Sequence, residues 1–111
     1  MKKRLVLVLA LLMMISVGSV AAKVLPKEIV IGWAPPDVTG VFATATSFFE
    51  QAAADAKKAG LNVRIITQSP AAHTDYGTQV AIMEDFIARK VDAIVISPVD
   101  VEVVKPVLRN A

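Results

Sequence analysis

The sequence predicts an α/β fold built on a doubly wound parallel sheet, and two observations support this class. From residue 28 onward, short segments rich in Val and Ile alternate with longer segments of helical period. The short segments carry nearly continuous apolar runs, which indicates strands covered on both faces, as in a parallel sheet. Three strands with helical crossovers give a βαβαβα order, the repeating unit of doubly wound folds. With three strands, we expect the sheet to be incomplete in this chain.

Residues 1–22 are predicted to be a secretory signal peptide. A cationic start at residues 2–4 is followed by 11 apolar residues from Leu5 to Ile15 and then by small residues up to Ala22. This is the three-part pattern of an exported protein, and the apolar run is well short of the roughly 20 residues that span a bilayer. We expect cleavage after Ala21 or Ala22, a periplasmic location and no membrane span afterwards. An uncleaved N-terminal anchor is the alternative.

The three predicted strands share short length, β-branched residues and flanking turn residues. They lie at Glu28–Trp33, Leu61–Thr67 and Asp92–Ser97. Trp33, at the end of the first strand, is expected in the core rather than at a ligand, because strand interiors in such a sheet are covered.

The first helical segment carries an apolar stripe at helical spacing. Its members are Phe42, Ala45, Phe49, Ala52, Ala53 and Ala56. Lys57 and Lys58 place positive charge in the last turn, where it complements the helix dipole. Gly60 is the expected left-handed residue at which the chain leaves the helix.

The second helix is predicted to begin after Asp75 as N-cap. Its apolar face consists of Val80, Ile82, Met83, Phe86 and Ile87. A third helix is predicted to begin after Asp100, with Val103, Val104, Val107 and Leu108 on one side. Pro106 should remove one hydrogen bond from this helix and kink it.

Composition excludes several classes of function. Cysteine is absent and His73 is the single histidine, so thiolate chemistry and cysteine zinc sites are excluded, and no metal site is predicted. Without the cations at residues 2–4, nine cationic side chains face ten acidic ones, a net charge of −1. A nearly neutral chain offers no basic surface for nucleic acid. His73 lies in a polar loop, and a solvated histidine without a function is favoured there.

Sequence motifs of enzymes are also missing. The glycines form no GxG dinucleotide fingerprint and no phosphate-binding GxxxxGK[ST] loop, and no GxSxG nucleophile elbow occurs. We therefore predict no cofactor and no enzymatic activity. In open α/β sheets ligands bind at the carboxyl ends of the strands. The corresponding loops here are residues 34–41, 68–76 and 98–101.

The order of IVIGWAPPDVTGVF, an alanine-rich helix, NVRIITQ and DYGTQVAIMEDFIARKVDAIVISPVD resembles the N-terminal lobe of the type I periplasmic sugar-binding proteins, the ribose/galactose-binding group. The resemblance covers residues 28–111. It implies that residues 23–111 are the first part of the N-terminal lobe of a two-lobe protein. Such a protein closes on one sugar, is a monomer when complete and delivers the sugar to the membrane permease of an ABC transporter.

Two ligand-binding positions follow from this resemblance. Asp100 matches the family aspartate after the third strand, which accepts hydrogen bonds from sugar hydroxyls, a charge-assisted pairing. N-cap of the third helix is an equally suitable role for it. Phe42 matches the aromatic residue that covers an apolar sugar face, and the alternative is a core position of the first helix.

The first ligand loop departs from the family pattern. Many sugar binders carry Asn-Pro-Phe-Phe or Asp-Asn-Phe there, whereas this chain has Gly40-Val41-Phe42-Ala43. Asp37 and Thr39 could supply the missing polarity, although Asp and Thr after two prolines are more often turn formers. The loop is closer in character to receptors for the furanosyl autoinducer-2 signal. A signal receptor on the same scaffold is therefore the alternative function, and a cytoplasmic response-regulator-like or repressor-effector domain is a third, which the export signal opposes.

Overall fold

The computed structural model describes residues 27–111, so the predicted signal peptide lies outside the described residues. Strands and helices alternate in the predicted order, and each strand boundary lies within two residues of its predicted position. The elements are β1 Ile29–Ala34, α1 Gly40–Lys58, β2 Val63–Thr67, α2 Tyr76–Ala88, β3 Ala93–Ile96 and α3 Val101–Leu108. Within this part of the chain, none of the helices combines the length and apolar character needed to cross a membrane.

The sheet is parallel, with the strand order β2-β1-β3. β1 pairs on one side with β2, where Ile31 faces Ile65, and on the other side with β3, where Gly32 faces Ile94. The chain therefore moves from the centre to one edge and then crosses to the other edge. Such a reversal creates a crevice outside the carboxyl ends of the two strands that flank it, here β1 and β3.

One face of the sheet is covered by α1 through Trp33. Its ring lies 4.8 Å from the ring of Phe49, and its indole N–H donates a hydrogen bond to the hydroxyl of Thr46 at 2.9 Å. Trp33 is 5% exposed, which confirms its predicted place in the core. The predicted stripe of α1 is half-buried along its length except at Ala52, which is exposed.

The opposite face is covered by α2, which packs on Gly32. Successive strand residues point to opposite faces of the sheet, so Gly32, which precedes Trp33, faces α2. There the side chain of Phe86 is fully buried and lies against the Gly32 backbone. The core formed by β1, α2 and α3 comprises Ala34, Ile82, Met83, Phe86, Val104 and Val107. The predicted apolar face of α2 is thereby confirmed.

The third helix buries one narrow stripe. Val104 and Val107 are buried, but Val103 and Leu108 are 39% and 42% exposed. Of the four apolar residues predicted to lie on one side of α3, only Val104 and Val107 are buried, because α3 packs against α2 and only one stripe of a short helix reaches such a neighbour. The helix continues through Pro106 and ends two residues later.

Three predicted helix ends are confirmed. Gly60 has a positive φ of +95° after α1, and its N–H donates to the carbonyl of Lys57 at 3.1 Å. The Asp75 carboxylate accepts from the backbone N–H of Thr78 at 3.0 Å, as an N-cap does. Asp100 caps α3 in the same way.

A methyl group at Gly32 is expected to destabilise the protein. A Cβ built there lies 2.6 Å from Cδ2 of Phe86, so the ring would have to move within a closely packed layer. We expect Gly32→Ala to lower the free energy of unfolding by about 1 to 2 kcal/mol, measured by urea denaturation. Gly77→Ala is the matched control, since a Cβ there meets no atom within 4 Å. Gly77 lies in the first turn of α2, so this change should not lower stability. Equal stability of the Gly32→Ala variant and wild type would show that Phe86 shifts freely.

Candidate functional site

Three loops meet at the end of the sheet where all three strands terminate, which we call the carboxyl edge. They connect β1 to α1, β2 to α2 and β3 to α3, and in a parallel sheet the carboxyl ends of all strands lie at one edge. All of the candidate ligand residues lie in these loops or in the helical turn that follows. The loops after β1 and β3 flank the crevice at which doubly wound sheets bind ligands.

Asp37 and Thr39 form a closed turn after β1. The Oδ1 atom of Asp37 accepts hydrogen bonds from the backbone N–H of Thr39 at 2.5 Å and from its hydroxyl at 2.8 Å. Asp37 is only 8% exposed. Thr39 is the N-cap residue of α1, but its side chain makes no capping hydrogen bond to the helix. The pair thus fixes the loop, as turn formers do, and presents a polar surface just before the helix.

His73, in the loop after β2, contacts the first loop. Its Nε2 atom pairs with Oδ2 of Asp37, and its ring meets the ring of Phe42 edge-on at 6.1 Å between centroids. The loop after β2 therefore contacts both the loop after β1 and the start of α1. The His73 side chain remains 61% exposed, so the imidazole is accessible as well as paired.

Phe42 is half-buried at the start of α1, between the body of the helix and the loop after β2. It lies on the apolar stripe of the helix, and it also contacts His73. Phe42, His73, Asp37 and Thr39 therefore form one group, which we call the first-loop cluster. It combines an aromatic ring, a carboxylate, a hydroxyl and an imidazole.

The pKa of Asp37 lies below its ordinary value. The main cause is the Thr39 backbone N–H, followed by the Thr39 hydroxyl and then by the charge of His73. Each of these groups favours the ionised carboxylate. Asp37 is therefore an anion at neutral pH, with both oxygens already directed at groups of the protein.

Stability is expected to depend on the charge of Asp37 in a defined pH window. The folded pKa is lower than the ordinary value of 3.8, so the contribution of the carboxylate is complete above that value and is lost as the pH falls through the folded pKa. Asp37→Asn removes the charge but keeps an acceptor for Thr39. We expect the urea midpoints of wild type and variant to differ at pH values above 3.8 and to converge as the pH falls through the folded pKa, which lies below 3.8. A difference that does not change with pH would contradict this assignment.

Asp100 is the last residue of the loop after β3 and caps α3. Its Oδ1 atom accepts from the backbone N–H groups of Glu102 at 2.8 Å and of Val103 at 3.3 Å. Within the described part of the chain, Oδ2 makes no hydrogen bond, and the residue is exposed. One oxygen therefore serves the helix while the other is available at the carboxyl edge. The two roles considered for Asp100 are geometrically compatible.

Gln79 is a structural link that the sequence reasoning missed. This α2 residue has no exposed surface. Its amide N–H₂ donates to the carbonyl oxygens of Ser97 at 2.9 Å and Ala34 at 3.5 Å, and its Oε1 accepts from the N–H of Val99 at 2.7 Å. It thereby ties the end of β1 to the loop after β3. The available signal was a polar residue at helical spacing from Met83, within an apolar face.

One cavity of the described residues lies elsewhere. It has a volume of about 400 Å³ and is lined by the end of α2, the start of β3 and the end of α3, including Lys90, Ala93 and Leu108. These residues surround the amino end of β3, opposite the carboxyl edge. The cavity lies beside an outer strand, where further elements of the sheet pack in doubly wound folds. Ligands of such folds bind at the carboxyl ends of the strands, so this cavity does not define the candidate site.

The side chains at the carboxyl edge combine polar groups with an aromatic ring. Carboxylate, hydroxyl and imidazole groups exchange hydrogen bonds with hydroxyls, and an aromatic face covers C–H surface. Among residues 27–111, no three His, Asp or Glu side chains are grouped to hold a metal ion.

Comparisons with known proteins agree with this architecture. Residues 31–111 match the family model described as a periplasmic binding protein domain. No curated protein sequence matches the chain.

Two solved structures have the same fold. An ABC transporter solute-binding protein from Burkholderia multivorans, with an unknown ligand described as alpha-D-erythrofuranose, is 26% identical, with a TM-score of 0.57 over 77% of this chain and 31% of its own. An ABC transporter solute-binding protein from Bacillus halodurans C-125, with bound myo-inositol, is 29% identical, with a TM-score of 0.58 over 74% of this chain and 28% of its own. This chain thus spans less than one third of either. The family match, together with the shared α/β fold, shows that the chain belongs to the type I periplasmic binding proteins.

Proposed function

We propose that this chain contributes to a periplasmic solute-binding protein of an ABC transporter, which binds a sugar or similar small polyhydroxylated ligand. In this proposal residues 1–22 direct export and residues 23–111 form the first part of the N-terminal lobe. A second lobe closes over the ligand, and the complete protein is a monomer that delivers the ligand to a membrane permease. The proposal includes no enzymatic step.

The observation that carries the proposal is the position of the first-loop cluster and Asp100 on either side of the β1/β3 crevice. Asp100 offers an ionised oxygen to a pair of neighbouring hydroxyls. Phe42 offers an aromatic face to the C–H surface of a ring, and Thr39 and Asp37 supply polarity beside it. The bound myo-inositol of the Bacillus halodurans protein is a ligand of this class.

A receptor for a furanosyl signal such as autoinducer-2 is the second candidate function. The sequence Gly40-Val41-Phe42-Ala43 favours it, because this loop lacks the second aromatic residue and the polar residue of many sugar binders. The ligand described as alpha-D-erythrofuranose in the Burkholderia multivorans protein is a furanose. A transporter subunit and a receptor share the same scaffold, so ligand identity distinguishes them.

Calorimetric titration of the complete two-lobe protein tests the proposal. The panel contains myo-inositol, D-ribose and D-erythrose, with L-arginine and AMP as charged controls of comparable size. We expect heat of binding with at least one polyol and none with the controls. A preference for D-erythrose over myo-inositol and D-ribose would favour the furanose receptor. Binding of a charged control and of no polyol would overturn both candidates.

Export and trimming are expected because residues 1–22 carry the pattern of a cleavable signal. Protein recovered from the periplasmic fraction should begin at Ala22 or Lys23 when its N-terminus is sequenced. Replacing Leu9 and Leu11 with arginine in the apolar run should retain the protein in the cytoplasm at full length. Untrimmed protein in the cytoplasm of cells that express the natural sequence would contradict the prediction.

A further inference from the structure

Gln79 is completely buried, and both the N–H₂ group and the oxygen of its amide are hydrogen-bonded. Its donor side reaches the carbonyl oxygens at the ends of two strands, and its acceptor side takes the N–H of Val99. Polar side chains are costly to bury unless they are hydrogen-bonded, so a residue of this kind is strongly oriented by its partners. In turn, it holds those partners at fixed positions.

The Val99 N–H bears on the position of Asp100, because Val99 immediately precedes Asp100 in the chain. It lies outside β3 and α3, so no backbone ladder supplies its partner. Within residues 27–111, Oε1 of Gln79 is the acceptor that satisfies it, at 2.7 Å. The backbone before Asp100 is therefore anchored by a side chain of α2 rather than by the sheet.

We propose that Gln79 is a positioning residue for ligand binding, which sets the place of Asp100 relative to the loop after β1. This inference rests on the proposed function, since it assigns the ligand contact to Asp100 itself. Gln79 is buried and acts through the backbone. The bonds to Ala34 and Ser97 fix the amide against β1 and β3, and the bond to Val99 transmits that position to the next residue.

The first test uses hydrogen exchange in the wild-type protein and needs no ligand. The Val99 amide should be protected to a degree similar to the amides of β3, although it lies in a loop. Exchange at the rate of an open loop would show that the Gln79 bond does not hold this segment, and it would overturn the inference whether or not the protein binds a polyol.

The second test compares Gln79→Met with Ile82→Val in the complete protein. Methionine has a similar length but no donor and only a weak acceptor, whereas Ile82→Val removes one methyl group from the same helix and core. We expect Gln79→Met to speed exchange at Val99 by about tenfold or more and to weaken myo-inositol binding by about tenfold, the value of one hydrogen bond. Ile82→Val should lower the melting temperature and leave both properties unchanged.

These outcomes separate two kinds of failure. If the wild type binds no polyol of the panel, the proposed function fails, and hydrogen exchange at Val99 still decides whether Gln79 positions the loop. If the wild type binds myo-inositol and Gln79→Met binds it as well as Ile82→Val does, at a temperature where both variants are folded, the positioning role is refuted. Should Gln79→Met fail to fold, the wild-type exchange measurement gives the answer alone.

Discussion

Replacing Asp100 with asparagine in the complete binding protein is expected to weaken polyol binding by about 10- to 150-fold. A charged acceptor contributes roughly 1.5 to 3 kcal/mol to a hydrogen-bonded site, which corresponds to this loss of affinity. Asparagine keeps the shape of the side chain and is a good N-cap residue. The variant therefore removes the charge offered to the ligand while largely retaining the bonds to Glu102 and Val103.

Asp100→Ala is the companion variant, because it removes both roles. It should weaken binding at least as much as Asp100→Asn and should also lower the free energy of unfolding by about 1 kcal/mol through loss of the cap. Titration calorimetry with myo-inositol and thermal unfolding measure the two effects separately. If Asp100→Asn binds within about twofold of wild type while Asp100→Ala lowers the melting temperature, Asp100 is only a cap.

Truncation of Phe86 to alanine is expected to lower the free energy of unfolding by about 3 to 5 kcal/mol. The ring is completely buried and is the largest side chain in the core of β1, α2 and α3. Its removal loses apolar burial and leaves a cavity against Gly32, which has no side chain of its own to fill the space. Urea denaturation measures the change.

Phe48→Ala is the matched control for this truncation. It removes the same atoms from α1, but Phe48 is 69% exposed, so we expect a change of less than about 0.5 kcal/mol. Gly32→Ala supplies a second check, because its methyl group clashes with Phe86 in the wild type and enters the cavity in the Phe86→Ala background. Its effect should therefore become much smaller or change sign there. Similar losses from Phe86→Ala and Phe48→Ala would contradict the described packing.

The sequence was sufficient to predict the local elements of this chain. The β-branched runs of the strands, the apolar stripe of α2, the glycine after α1 and the aspartate caps at Asp75 and Asp100 are all visible in the structure where the pattern places them. Each depends on neighbours within a few residues, since strand and helix periodicity and capping are local properties. The placement of loops at one sheet edge followed from the parallel order alone.

Tertiary structure decided which distant groups meet. The contact of His73 with Asp37 and Phe42 joins segments separated by more than 30 residues, and no local pattern distinguishes it from a solvated histidine. Packing also decided that Val103 is exposed, because only the arrangement of α3 against α2 selects its buried stripe. Gln79 has the same origin. Its amide can form its hydrogen bonds only when two strand ends and a loop lie within reach, and the fold as a whole sets this condition.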